Sequence, residues 1–309
     1  MQRWMISRRR NVCVLAVRYL DKYGWVGAKN RDRTYTPKVL IKKSFRGNTE
    51  RLYIWDDGTK WTEGINEYGI AILSVAAGTP KDMKKDAKPD SNQSPDVIFS
   101  ADGKKIRDAL FKKNIKSALN SLIENGIVGN TAVFTQDSCF LIEAINIISD
   151  GESYRHKVRE FKKDEILVRT NHGIMMPKMG YQMGDSRKSS EARYEKSKEG
   201  MLKASNPKGI LDAISQTNKD DPQLGPLRND KGKKDGNPVL KTTGQIMIIP
   251  KSMSLHYRPI DSKVEFDFDK LNDESHKTKF EVITSKKLLS VNETLTFRTH
   301  QLGETEVIY

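Results

Sequence analysis

The side chains best suited to nucleophilic chemistry are a cysteine at the head of the apolar run "CVLAV", Cys13, and a histidine inside "VRTNHGI", His172. A thiol attacks a carbonyl only as the thiolate, so a catalytic cysteine needs a base or cations beside it. Of the five histidines, His156, His172, His256, His276 and His300, only His172 stands in a motif-like setting. A Cys13/His172 dyad is one reading; a buried, inert Cys13 is another, because free cysteine is among the most buried residue types. A different base arises if the chain is cut before Cys13. The new α-amine, with an ordinary pKa near ~8, would then sit on the nucleophile's own residue. Cys139, in the alternating "SCFLIEA", reads as structural, and His172 as a neighbour that packs or orients Asn171. The histidines are scattered, and Cys-x-x-Cys, His-x-x-x-His and glycine-rich phosphate loops are missing from the sequence. Neither a metal nor a cofactor is expected.

The elements that must position these residues belong to an ordinary globular composition, 36% hydrophobic and 30% charged over 309 residues. The longest apolar runs, "VCVLAV" and "IMIIP", fall far short of the roughly 20 residues a membrane-crossing helix needs. The basic start "MQRWMISRRRN" is followed by too short an apolar stretch for a signal peptide, and Arg10, Asn11 and Val12 do not suit a lipoprotein signal. A cytoplasmic location, two free thiols and no membrane association are the expectations. The formal charge of +14 invites a polyanion-binding reading. Its basic residues, however, are spread along the chain among 40 acids, without a helix-turn-helix, zinc-finger or ribonucleoprotein signature. A solvated basic surface is the expectation, and nucleic acid is not an expected partner.

Apolar patterning gives a hairpin over 13–20 and 23–28, then strands in "KVLIKKSF", "RLYIWDDGTKW" and "GIAILSVAA". The polar stretch 78–98 reads as a long exposed loop. Apolar residues at Ile106, Ala109, Leu110, Ile115, Ala118, Leu119 and Leu122 then follow helical spacing, as one helix broken near Asn114 or two short ones. Strands return in "NTAVFTQDSCFLIEAI", "SYRHKVREF" and "EILVRTNHGI". Helices are expected over 189–205 and 207–216, a polar loop over 217–239, and a β-rich tail from Thr242. Helices grouped between runs of strands predict an α+β fold of two antiparallel sheets with helices outside.

"CVLAVRYLDKYGWVGAKNRDR" resembles the start of the choloylglycine hydrolase and penicillin V acylase family. These are amino-terminal-nucleophile (Ntn) hydrolases, in which an amino-terminal cysteine strand leads through a glycine turn to an Asn-x-Asp element. "WTEGINEYGIAILSVAA", "VRTNHGI" and "SSEARY" resemble its later motifs in the right order, and "TTGQIMIIPKSMSLHYR" more weakly its closing hairpin. The resemblance implies an αββα sandwich, a propeptide over 1–12, and a single domain over 13–309.

It also implies roles. Cys13 would be the nucleophile and, once exposed, the α-amine base, with Asp32 holding that amine. Asn171 would donate to the tetrahedral oxyanion, and Arg193 would favour the thiolate. Lys29 stands where the family has arginine, keeping the charge without the planar fork. The second oxyanion position falls at Ala76, which offers only its backbone N–H. The implied activity is hydrolysis of a linear non-peptide amide C–N bond, N-acyl or bile-salt-like, through an acyl-enzyme, with a small-molecule amide as partner and a homo-oligomer left open. Two alternatives stay open beside it: an inactive binding protein on the same fold, and a polyanion-binding protein.

Overall fold

The computed structural model describes residues 12–35, 37–46, 49–56, 58–77, 95–147, 153–229, 233–234, 237–238, 240–260, 298–300 and 304–308. Strands β1 (Val12–Leu20) and β2 (Gly24–Arg33) form the expected hairpin, in a register that pairs Val12 with Asp32, Cys13 with Arg31 and Leu15 with Lys29. Two glycines make it feasible. Gly24 sits at φ +68°, and a Cβ on it would come within 2.5 Å of the Gln136 carbonyl. At Gly27 a Cβ would stand 2.4 Å from the Phe134 ring, so only glycine lets β2 approach the opposite sheet this closely. The strand runs on to Arg33, past the expected end at 28, because its charged residues find partners across the sheets.

Strands β3 (Val39–Arg46), β4 (Thr49–Asp56), β5 (Thr62–Asn66) and β6 (Ala71–Val75) follow. Helix α1 (Pro95–Ala109) starts inside the stretch read as loop; residues 78–94 lie outside the described residues. Proline suits a first helical turn, where its missing N–H costs nothing. Helix α2 (Ile115–Glu124) is separated from α1 at Asn114, whose side chain caps it by accepting from Ser117 N at 2.8 Å. Next come β7 (Gly129–Phe134), β8 (Cys139–Ile147), β9 (Ser153–Phe161) and β10 (Ile166–Arg169). Helices α3 (Gly184–Lys203) and α4 (Pro207–Ser215) follow, α3 starting five residues before the expected 189.

The polar stretch after α4 is mostly irregular, with the short pair β11 (Lys233–Lys234) and β12 (Asn237–Pro238). Strands β13 (Lys241–Ile249) and β14 (Ser254–Pro259) are the closing hairpin, and β15 (Arg298–His300) and β16 (Glu304–Ile308) complete the tail.

Two large antiparallel sheets result, with orders β10-β1-β2-β13-β14 and β15-β16-β3-β4-β5-β6-β7-β8-β9. Between them lies a core of Cys13, Leu15, Val17, Leu73, Phe134, Ile246 and Leu255. The other faces are covered by helices. Val14, Ala16, Val26 and Met247 pack on Met201, Ile210 and Ile214 of α3 and α4. Ile72, Val133 and Ile142 pack on Ile106 and Ala109 of α1, on Leu110 just after it and on Leu122 of α2. Period-two strands with both faces apolar thus build the α+β, αββα layering. Among the described residues no helix is long and apolar enough to cross a membrane.

Candidate active site

The polar end of β2 alternates between two layers. Lys29, Arg31 and Arg33 point between the sheets, where Glu63 and Asp56 meet them; Asn30 and Asp32 point toward the helices. Cys13 belongs to the interlayer core, so its sulfur shares the face of Lys29, Arg31 and Arg33.

On that interlayer face the ion pairs form a chain. Lys29 Nζ donates to Glu63 and to the Ser74 carbonyl, with the Trp61 ring 5.2 Å away. Arg31 bridges Glu63 at 2.6 Å and Asp56 at 3.0 Å. Arg33 Nε donates to Asp56 at 3.1 Å, and its Nη1 lies 3.8 Å from Cys13 Sγ. Although burial pushes the other way, Lys29 and Arg31 hold Glu63, and Arg31 and Arg33 hold Asp56, below the usual carboxylate range. Burial pulls Lys29 down against the opposing pull of Glu63.

On the helix side, the groups converge on the backbone of Cys13. Its N–H donates to Asn171 Oδ1 at 3.2 Å, and its carbonyl accepts from Arg193 Nη1 at 3.0 Å. Arg193 Nη2 also donates to Asn171 Oδ1 at 3.0 Å, and Asn171 Nδ2 donates to the Ala76 carbonyl at 2.6 Å. Thr242 Oγ1 donates to Asp32 Oδ1 at 2.8 Å. Asp32 Oδ2 has no hydrogen-bond partner among the described residues and stands 3.9 Å from Arg193 and 3.7 Å from Arg228. Burial raises the Asp32 carboxyl, against Arg228 and Arg193. Burial and the neighbouring Arg228 bring Arg193 down to about 9.

Around Cys13, then, five buried cations (Lys29, Arg31, Arg33, Arg193, Arg228) face three buried carboxylates (Asp32, Asp56, Glu63). Such an excess of positive charge suits an anion in their midst.

The loop carrying Asn171 is anchored twice. Ser190 Oγ accepts from Asn171 N at 2.9 Å and lies 2.8 Å from His172 Nδ1. Buried Glu143 accepts from the backbone N–H groups of Ile174, Met175 and Met176 and pairs with Arg169 Nε at 2.8 Å. Burial, with Arg187 adding to it, lowers His172 to about 4, so the ring is neutral at pH 7 and serves its neighbours in the loop. Helix α3 buries Ser189, Arg193, Ser197 and Met201 at four-residue spacing. A polar stripe turned inward explains why its sequence lacks an apolar face.

All six residues named from the sequence gather here, but not in equal roles. Asn171 and Arg193 bond to the backbone of Cys13, Ala76 accepts from Asn171, Asp32 stands 3.9 Å from Arg193, and Arg33 approaches the sulfur. Lys29 spends its hydrogen bonds on Glu63 and Ser74. The sequence reading missed Arg31, Arg33, Glu63, Asp56, Arg228 and Thr242. The first two were legible by period two from Lys29; Glu63, Asp56, Arg228 and Thr242 arrive from distant segments. Cys139, buried in β8, has its thiol pushed up by burial alone. Among the described residues no cluster of three His, Cys, Asp or Glu side chains could hold a metal ion.

No protein-family model matches the chain, and no curated protein does. Among solved structures it is similar to penicillin V acylase from Agrobacterium tumefaciens, at 10% identity and TM-score 0.42 over 80% of this chain and 86% of that one. It is also similar to two variants of conjugated bile acid hydrolase from Clostridium perfringens, both 8% identical. One match covers 88% of this chain and 98% of the other with TM-score 0.46. The second covers 84% and 94% with TM-score 0.44.

Proposed function

We propose that this chain is a cysteine amidase of the amino-terminal-nucleophile kind, hydrolysing a linear non-peptide amide C–N bond after the Val12–Cys13 bond is cut. The observation that carries this reading is that the site grips the main chain of Cys13: Asn171 takes its N–H and Arg193 its carbonyl. A cysteine served by histidine would need only its sulfur addressed, whereas an α-amine base requires the nitrogen itself to be held. His172 is turned to Ser190 and Thr170 instead.

In the mature chain the α-amine takes the thiol proton, and the thiolate adds to the substrate carbonyl to form an S–C bond. The resulting oxyanion is stabilised by the Asn171 side chain, with the Ala76 backbone N–H as second donor. The ammonium, held by Asp32 Oδ2, gives its proton to the leaving nitrogen as the C–N bond breaks. Water then adds to the thioester while the amine takes one of its protons; collapse expels the thiolate, and the acid leaves. Asp32 fits its part because one oxygen is fixed by Thr242 and the other is unpartnered among the described residues.

Intact-mass measurement alongside an amide substrate panel tests this. The active protein should begin at Cys13, and Cys13→Ser should slow both maturation and turnover. An active preparation that keeps its residues before Cys13 would overturn the α-amine mechanism.

A further inference from the structure

The sulfur of Cys13 and the guanidinium of Arg33 meet on a face of β2 that the main-chain contacts of Cys13 do not use. From β2 come Lys29 and Arg31, from β4 and β5 Asp56 and Glu63, and from the helix side Arg193 and Arg228; among these and Arg33, only Arg33 has a donor on Sγ. Lys29 is electrostatically close to Cys13, but its ammonium is turned to Glu63 and Ser74. We propose that Arg33 is a catalytic residue that holds the Cys13 sulfur as thiolate, and that Asp56 is its positioning residue.

The geometry is that of an aimed fork. Arg33 Nε is tied to Asp56 Oδ2 at 3.1 Å, and Nη1 is steered by the Asp32 carbonyl at 2.8 Å toward the sulfur. Asp56 is itself fixed by Arg31, by the Gly58 and Thr59 backbone N–H groups and by Tyr35 OH. Because five donors hold Asp56, removing Arg33 leaves that carboxylate paired, so an Arg33 variant is expected to fold. Burial disfavours the Arg33 cation, yet the neighbouring Cys13 and Asp56 more than offset it and raise Arg33 above its ordinary range. The inference rests on the reading of Cys13 as nucleophile, but it concerns the sulfur alone and stands apart from the α-amine.

The test is the ultraviolet absorbance of the thiolate followed against pH, with the Cys13→Ser protein subtracted, in wild type, Arg33→Gln, Arg33→Lys and Lys29→Arg. An opposite charge at this range favours ionisation by about 1–3 pH units. The midpoint should therefore rise by about that much in Arg33→Gln, less in Arg33→Lys, and little in Lys29→Arg. Amide turnover of Arg33→Gln should recover as pH is raised, which a purely structural role would not give. An unmoved midpoint in Arg33→Gln, or an equal rise in Lys29→Arg, would overturn the assignment. Should Arg33→Gln fail to fold, the Arg33→Lys midpoint decides: no rise overturns it. Absence of amide hydrolysis with the expected midpoints would instead remove the amidase reading and keep Arg33 on the thiol.

Discussion

The two faces of β2 carry similar residues in opposite electrostatic conditions. Between the sheets, Asp56 and Glu63 each touch two cations within hydrogen-bond reach, and both carboxyls are held low. On the helix side, among the described residues, Asp32 has cations only at 3.7 Å and beyond and one unpartnered oxygen, and its carboxyl is raised. A buried carboxylate with its cations in contact is costly to strip of its charge; in the proposed mechanism the one left short, Asp32, holds a place for the ammonium of Cys13.

The largest expected effects come from neutralising one carboxylate on each face. Asp32→Asn should lower amide turnover by about 10²–10⁴-fold, the span of a lost acid–base element, with little loss of stability. Asp56→Asn should instead cost about 3–5 kcal/mol, since it strands buried cations. Urea midpoints and kcat on both variants separate the two; equal stability losses would erase the contrast. Acid sharpens it. Asp56 and Glu63 titrate below their unfolded values, so their contribution is present above a pH of about 4 and is lost as pH falls through the folded values. Asp32 has the opposite sign: its contribution is full below its unfolded value and fades as pH rises through the raised folded one. Urea midpoints followed against pH should thus fall less with rising pH in Asp32→Asn than in wild type.

Asn171→Ala should reduce kcat by about 10²–10³-fold, as removal of one oxyanion donor does. Single-turnover kinetics checks it, and unchanged acylation would take Asn171 out of the oxyanion role. The smallest effect is assigned to His172→Gln, a few-fold loss of turnover with the pH–rate profile unchanged above pH 5, because the imidazole, at about 4, is already neutral there. Loss of an inflection near pH 6.5 in that variant would show His172 to be a titrating participant.

How much of this was legible depends on sequence distance. The hairpin of β1 and β2, the break at Asn114 and the layering follow from period two, helical spacing and a capping asparagine, all of which are local. The helical region starts at Pro95, inside the stretch that reads as loop, because "SPDVIF" opens with proline among polar residues, which suits a loop and a first helical turn equally. Helix α3 was begun too late because its buried stripe is serine and arginine instead of leucine.

By itself the sequence determined that Cys13 heads a strand that turns back toward the segment carrying Asp32, and that Asn171 and "SSEARY" follow in an order resembling one enzyme family; that β2 runs on through Asp32 came from the tertiary structure. The sequence could not determine which cation meets the sulfur. Lys29, Arg31 and Arg33 share one face at two-residue spacing, and their destinations are set by Glu63 and Asp56 from the opposite sheet. Nor could it join Asp32 to Thr242, 210 positions away, or bring Arg228 beside them. In a buried layer each charge is placed by the partners that compensate its desolvation. Those partners are chosen by how the sheets stack, which only the tertiary structure decides.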